Sequence, residues 1–582
     1  MWQGSEAQAC FIINSFLSLT GVFMIVYICI TLLLGIPLIF LEIGLGQFCQ
    51  QGTVKLWQAV PLFKGVGFVK VFASLLMSIY YPMLMTISMF YFIWSAKDSV
   101  PISVCESTSP ITTFIDPGGG FGDKCLNDTI LHPTQSDGTL FAVYIAFIFL
   151  IWSLFCLCLC KSVSSYRLSI YILILPTIAC IIAELVNATT IGNDNRGIDM
   201  LTTLDWQQLK EPKMWYFATI QMFFSTHAGM GNIVTCAGKM YSKTNAFWIA
   251  VSYVFLNLIT GIMFVVTVYL WIGQTYISIS DIKPEIPEIF VALLFSAILS
   301  LVQESERKIK WWHIVMAMSG IGFSLGVLFV LQPNLGILHM LDHYVIGRMV
   351  IATTILELIG FGWIYGGDTL YKDFEFVLGQ KLNVMWKYLW IIIPVLLLAL
   401  EIMSLIKLPL DGFENKEDYP WIYGIGWSIY LTTWFIVISI AIRQISNQVD
   451  YNFTDRFLSS LKPSIDWGPV DPICRHRWKQ WGDQYSLTGR RDFTLSRRGT
   501  RDYTHSVRAN SCPVIITQSI LPSPHLASSS ENDTDNNSNE PFTLTAKNGS
   551  LNHSSNGPFT LQSNGAIGGR QMPKGRYWRP IH

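Results

Sequence analysis

Charge is what this sequence lacks most. Only 13% of its 582 residues are Asp, Glu, Lys or Arg, against roughly 25% in soluble domains. The 39 basic side chains cancel the 39 acidic ones. A surface so poor in charge cannot face water everywhere, and a net charge of zero offers nothing to a nucleic-acid backbone, so no nucleic-acid partner is expected. The marks of an enzyme are missing too. No hydrolase or phosphate-loop pattern is found, and the 10 histidines show no metal-ligand spacing. No cleavable signal peptide is evident, because the first apolar run is too long and continues directly into a span.

What is present is hydrophobic: 51% of the chain. Apolar segments long enough to cross ~30 Å of hydrocarbon run over Leu17–Leu45, Gly67–Ser95, Leu140–Cys160, Leu168–Ala188, Met214–Ala237, Trp248–Gly273, Ile289–Val302, Trp311–Leu331, Val345–Gly366, Trp386–Ile406 and Trp421–Ala441. The Ile289–Val302 run is short for a span. These runs predict an all-α membrane protein with about eleven spans.

Most of the 12 cysteines lie inside apolar runs and read as inert packing thiols. Cys105 and Cys125 differ, for they flank Pro117-Gly118-Gly119-Gly120 in a polar loop, residues 97–138, and the sequon Asn127-Asp128-Thr129 follows. A disulfide between Cys105 and Cys125 and a glycan on Asn127 place that loop outside the cell. Cys156, Cys158 and Cys160 read as packing, with palmitoylation and metal binding as weaker readings. With the Cys105 loop outside, Lys55, Lys64, Lys161, Arg167, Lys239, Lys243, Arg307, Lys308, Lys310, Lys372 and Lys381 fall in inner loops, as the positive-inside rule requires. Residues 1–443 then form the transmembrane domain of a multi-pass plasma-membrane protein. Residues 444–582, rich in Ser, Asn and Arg, form a cytoplasmic and mostly disordered tail through which protein partners are expected.

Polar groups at membrane depth survive only when buried in protein or lining a cavity. Gln221-Met222-Phe223-Phe224-Ser225-Thr226-His227-Ala228-Gly229-Met230-Gly231-Asn232 puts such groups in mid-span. Gly229 and Gly231 invite unwinding, and freed half-helix ends hold ions or charged substrate groups; the competing reading is a small-residue packing face. Asn257 reads equally as helix–helix glue or as a ligand. Glu42, Glu184, Glu357 and Glu401 are acids in or at the ends of apolar runs, where structural pairing and a transport role weigh alike.

At these residues the chain resembles the neurotransmitter:sodium symporters, sodium- and chloride-dependent carriers of amino acids and amines. Gly35-Ile36-Pro37-Leu38-Ile39-Phe40-Leu41-Glu42-Ile43-Gly44-Leu45-Gly46-Gln47, with Gln51-Gly52, Trp57, Pro61 and Lys64-Gly65-Val66-Gly67, is similar to the family's second span and first inner loop. Ile79-Tyr80-Tyr81 resembles its third span, Gln221 to Gly231 its unwound sixth, and Glu357 with Trp363-Ile364-Tyr365-Gly366 its tenth. Trp467-Gly468-Pro469 resembles the start of its tail. The resemblance covers Phe11 to Trp478, and Gly46-Gln47-Phe48 leans toward the glycine and amino-acid branch.

The resemblance implies the inverted-repeat fold of the bacterial leucine transporter, with a midplane site and alternating access by rocking of the first, second, sixth and seventh spans. By position, Tyr81, Phe224, His227 and Met230 line the substrate pocket, Ser225 and Asn257 are sodium ligands, and Gln221 and Ser225 lie at the chloride site. Sodium is the expected coupling ion, chloride a candidate second one, and no cofactor is implied.

The chain also departs from the family pattern. The first span is truncated, with Ala7 at a sodium-ligand asparagine and Cys10 at the outer-gate arginine, whose acidic partner is matched by His343. The eighth span stops early, as Val302-Gln303 passes into Glu304-Ser305-Glu306-Arg307. Phe40 stands where the chloride site has a tyrosine hydroxyl, Gly261 where it has a serine, and His227 at a pocket serine. The amine branch's first-span aspartate is matched near Gly4, which points away from amines. The expectation is a sodium-coupled secondary transporter of amino acids or related small solutes. The alternative is a non-transporting accessory or receptor-like member, or a truncated inactive product. Enzyme activity is not expected.

Overall fold

In hydrocarbon the backbone has no water to bond, so long apolar segments must fold as helices. The computed structural model describes residues 21–95, 138–161, 163–191, 196–202, 204, 206–239, 244–274, 310–330, 341, 345–411 and 420–497. Among these residues every regular element is a helix, and nine helices are long and apolar enough to cross a bilayer. In chain order the elements are α1 Gly21–Cys49, α2 Lys64–Ser95, α3 Gly138–Leu159, α4 Val163–Ile191, α5 Arg196–Thr202, α6 Pro212–Thr226, α7 Asn232–Lys239, α8 Ala246–Gln274, α9 Trp311–Val330, α10 Gly347–Leu358, α11 Gly367–Leu378, α12 Met385–Asp411, α13 Pro420–Ser446, α14 Phe453–Ser460 and α15 Pro472–Thr488. The all-α membrane fold expected from the sequence is the fold observed. The expected span Met214–Ala237 is the broken pair α6–α7. The short run Ile289–Val302, the Cys105–Cys125 pair, Asn127, Ala7, Cys10 and His343 lie outside the described residues.

Burial separates centre from rim. In the apolar windows of α10 and α1, 78% and 61% of residues are buried, against 6% in α4, which therefore sits on the lipid-facing side. α1 packs on α7, α8 and α6, and α10 packs on α12, α2 and α6. Two central helices carry wide turns. In α1 the turn Thr31–Gly35 precedes Pro37, which has no N–H to give and crowds the preceding turn. The Pro37 carbonyl accepts from Trp390 Nε1 of α12 at 3.0 Å. α10 continues into a wide turn at Ile359–Ile364.

Small residues set the closest approach. A Cβ on Gly46 of α1 would lie 2.3 Å from the Val234 carbonyl of α7, and one on Gly44 would lie 2.1 Å from the Phe374 ring of α11. Backbones this close need glycine.

The first part of the tail, expected to lack structure, is folded. α15 starts at Asp471, whose side chain accepts from Ile473 N at 3.2 Å, and ends at Gly489 with a left-handed φ of 63°. Trp467 Nε1 donates to the Tyr365 hydroxyl at 2.9 Å, and that hydroxyl donates to Asp373 Oδ2 at 2.5 Å. Trp478 Nε1 donates to Asp373 Oδ1 at 2.7 Å. Arg491 Nε lies 2.8 Å from buried Glu375, a charge contact out of hydrogen-bond alignment. Composition misled here because four side chains, Trp467, Trp478, Trp481 and Cys474, supply the apolar anchor while the residues around them are polar.

Overpacking costs about 1–3 kcal/mol. Gly46→Val is therefore expected to lower thermal stability in detergent, whereas Gly320→Ala of α9, whose methyl meets nothing within 4 Å, leaves it unchanged or raises it; melting curves of both proteins check this. Burial pushes the Asp373 carboxyl from 3.8 up to about 7, against the Tyr365 and Trp478 hydrogen bonds that favour its charged form. The folded protein holds that proton more tightly than the unfolded chain, so the stability it contributes is full below 3.8 and is lost as pH rises through about 7. Melts of the wild type across that interval should show the fall, and Asp373→Asn should flatten it.

Candidate functional site

A helix broken at membrane depth frees carbonyls and N–H groups that need new partners. Between α6 and α7 the backbone turns left-handed at His227 (φ 54°), Gly229 (φ 79°) and Gly231 (φ 80°). The two glycines also answer a space requirement. A Cβ on Gly229 would come within 2.3 Å of Thr354 Oγ1 of α10, and one on Gly231 within 2.6 Å of the Thr53 side chain.

The freed groups are met from four directions. Thr53 Oγ1 donates to Gly231 O at 2.7 Å, and Ser74 Oγ of α2 donates to Met230 O at 2.9 Å. Tyr253 of α8 donates to Thr226 O at 2.9 Å, and Asn257 Nδ2 donates to Ser225 O at 2.5 Å. Gly229 N donates to Glu42 Oε1 of α1 at 3.1 Å. Asn257 is thus glue through its amide nitrogen, while its amide oxygen faces the hydroxyls beside Ser225.

Three side-chain oxygens converge at the C-terminal end of α6. The Tyr27 hydroxyl of α1 donates to Ser225 Oγ at 2.8 Å and approaches Asn257 Oδ1 at 3.5 Å. Gln221, one turn before Ser225 on α6, is buried as well. The hydroxyl at this place is therefore Tyr27's and not one lost at Phe40. Phe40 points to the other end of α1, packed edge-on against Phe374 at 5.2 Å and Trp386 at 5.0 Å. A lone tyrosine in the run Gly21-Val22-Phe23-Met24-Ile25-Val26-Tyr27 was the available signal.

Of the expected pocket residues, His227 and Met230 lie in the break and Phe224 in the last turn of α6 before it; all three are buried, and Phe224 lies beside Gly347 of α10. His227 Nε2 is buried with no hydrogen-bond partner among the described residues. Tyr81 of α2 is buried in the same core, its ring 4.9 Å from that of Tyr80.

Lys70 is the residue the sequence reading passed over. It sits one turn inside the apolar part of α2, buried, and its Nζ donates to Glu42 Oε1 at 3.2 Å and to Glu357 Oε2. Of the other intramembrane acids, Glu401 accepts from Tyr430 at 3.5 Å, whereas Glu184 is half-buried on the largely exposed α4.

A profile of the sodium:neurotransmitter symporter family matches residues 16–116, 126–284 and 288–448. The chain belongs to that family. Within it, the chain is 25% identical over 538 residues to the sodium-dependent nutrient amino acid transporter 1 of Drosophila pseudoobscura pseudoobscura, covering 79% of this chain and 81% of the relative. It is 25% identical over 550 residues to the sodium- and chloride-dependent neutral and basic amino acid transporter B(0+) of Mus musculus, covering 80% and 85%. The family anticipated from the motifs is thus the family matched, and it is a family of membrane carriers.

In this symporter the geometry of the break depends on Gly229. A non-glycine residue in left-handed backbone costs about 1–2 kcal/mol, before the 2.3 Å overlap with Thr354 is counted. Gly229→Ala is expected to lower thermal stability and surface expression, and Thr354→Ala added to it should restore only the part due to overlap.

Proposed function

We propose that the chain is a sodium-coupled carrier of amino acids in the plasma membrane, working by alternating access around the α6–α7 break. The observation that carries this reading is the convergence of Ser225 Oγ, Asn257 Oδ1 and the Tyr27 hydroxyl at that break. Hydroxyl and amide oxygens suit a hard cation such as sodium. Ser225 Oγ and Asn257 Oδ1 are its ligands from this region, with the C-terminal end of helix α6 adding negative dipole. The names of the two relatives support sodium and amino acids as coupling ion and substrate.

Donors gather on the other side of the same cluster. The Tyr27 O–H, with Gln221 and Ser225, forms the chloride site, Tyr27 supplying the hydroxyl. An anion there would draw the Tyr27 proton away from Ser225 and free the serine lone pairs for sodium, which couples the two ions. Phe224, His227, Met230 and Tyr81 line the substrate pocket. A non-transporting role is the weaker reading, because the ion-liganding oxygens of α6 and α8 are present and held together.

The test is uptake of a panel of labelled amino acids, glycine and proline included, by cells with the protein at their surface. Sodium-dependent uptake that is lost in choline is the expected result; no uptake of any member overturns the reading. Ser225→Ala with Asn257→Ala should raise the half-saturating sodium concentration by about tenfold or more, the effect of losing charge-assisted contacts. Tyr27→Phe should weaken dependence on chloride measured against gluconate, and an unchanged chloride response would remove Tyr27 from the site.

A further inference from the structure

Two carboxylates and one ammonium meet in the dry centre of the bundle. Glu42, Lys70 and Glu357 are 1%, 1% and 2% exposed. Lys70 Nζ reaches both acids, so the three ionised groups would leave one uncompensated negative charge. A net charge at this depth is costly, and two carboxylates sharing one site do not both ionise readily. The gap between the acids is filled by the lysine ammonium, which leaves the smallest cation to restore neutrality.

We propose that the Glu42–Lys70–Glu357 cluster is a proton-binding site, and that the transport cycle takes up and releases a proton there. The coupling half rests on the carrier function proposed above. The proton goes to Glu42 Oε2. Oε1 of that carboxylate already accepts from Lys70 at 3.2 Å and from Gly229 N at 3.1 Å. Oε2 is buried with no hydrogen-bond partner among the described residues. Protonation converts Glu42 to the neutral acid and leaves Lys70 and Glu357 as a balanced pair; release returns the proton to water.

The place of the cluster supplies the link to movement. In the alternating access proposed above, Glu42 on α1 and Gly229 in the break go with the rocking bundle, while Lys70 on α2 and Glu357 on α10 stay with the scaffold, so the contact of Lys70 with Glu42 crosses the boundary between them. When the two parts separate, water reaches Glu42 and the proton can leave. Other ionisable groups on the surrounding elements are engaged elsewhere. Asp373 bonds Tyr365 and Trp478, Glu375 pairs with Arg491, and Asp368 pairs with Lys387. Glu401 accepts from Tyr430, and Arg348 stacks on Trp427 with its guanidinium 5.3 Å from the ring. Lys239, His313 and Arg443 are exposed. His227, in the break itself, is the nearest in sequence to Gly229 and is tested alongside.

The experiment uses the full chain in lipid nanodiscs and reads the infrared carbonyl band of protonated carboxylic acid during a pH titration. The expected result is a band at neutral pH of which one part belongs to Asp373 and is removed by Asp373→Asn; the remaining part disappears on alkaline titration, is missing in Glu42→Gln, persists in His227→Gln and grows in Lys70→Met. A wild type without a band, a band that Asp373→Asn removes completely, or a remaining part untouched by Glu42→Gln, overturns the proposal. Should Lys70→Met fail to fold, the wild-type titration and Glu42→Gln decide. In proteoliposomes, sodium-driven uptake of the labelled panel should vary with outside pH, by up to about tenfold per unit, the limit for one linked proton. In Glu42→Gln it should be flat or lost, since glutamine cannot release a proton. A pH profile equal to that of the wild type would falsify the coupling. No uptake at any pH, with the infrared proton intact, would sink the carrier function and the coupling but leave the proton site standing.

Discussion

The interrupted helix at His227–Gly231 is the constraint on which the rest depends. Unwound backbone cannot remain in hydrocarbon unless the protein supplies every missing partner. α1 brings a carboxylate to Gly229 N, α2 a hydroxyl to Met230 O, α8 a phenol and an amide to Thr226 O and Ser225 O, and the segment after α1 a threonine to Gly231 O. Each of those elements must sit within hydrogen-bond reach of the break. The glycine contacts between α1 and α7, and between α10 and the break, follow from the same need for closeness.

Much of this was legible in the sequence because hydrocarbon leaves few choices. Long apolar runs could only be helices, and Gly229 and Gly231 flanked by polar residues pointed to a built irregularity over the competing reading of a small-residue packing face. What escaped was single polar atoms in apolar surroundings. Tyr27 and Lys70 each lie in a run that reads as plain membrane helix, and nothing local tells whether such a group finds a partner. Tyr27 meets Ser225, 198 positions away, and Lys70 meets Glu357, 287 positions away. Those meetings belong to tertiary structure alone.

The tail escaped for the opposite reason. Its average composition is polar, and averaging hid Trp467 and Trp478, which close over Tyr365 and Asp373. Because Tyr365 ends the wide turn of α10, the tail is bound to the same helix that presses on the break at Gly229. The stretch from α10 to Tyr365 is therefore held at two places by different parts of the chain, at Val350 and Thr354 by the unwound segment and at Tyr365 by Trp467, just ahead of α15.

The central lysine also bears on how the chain is made. Glu42 and Lys70 are 28 positions apart, and Glu357 follows Lys70 by 287. A nascent chain that has delivered α1 and α2 to the bilayer already holds one acid and one base that can neutralise each other on adjacent helices. The second acid emerges only after most of the transmembrane domain has been synthesised, when a water-poor interior is waiting to receive it. Order of synthesis thus lets two costly charges enter lipid as a pair, and leaves the third to be accommodated by a bundle that already exists.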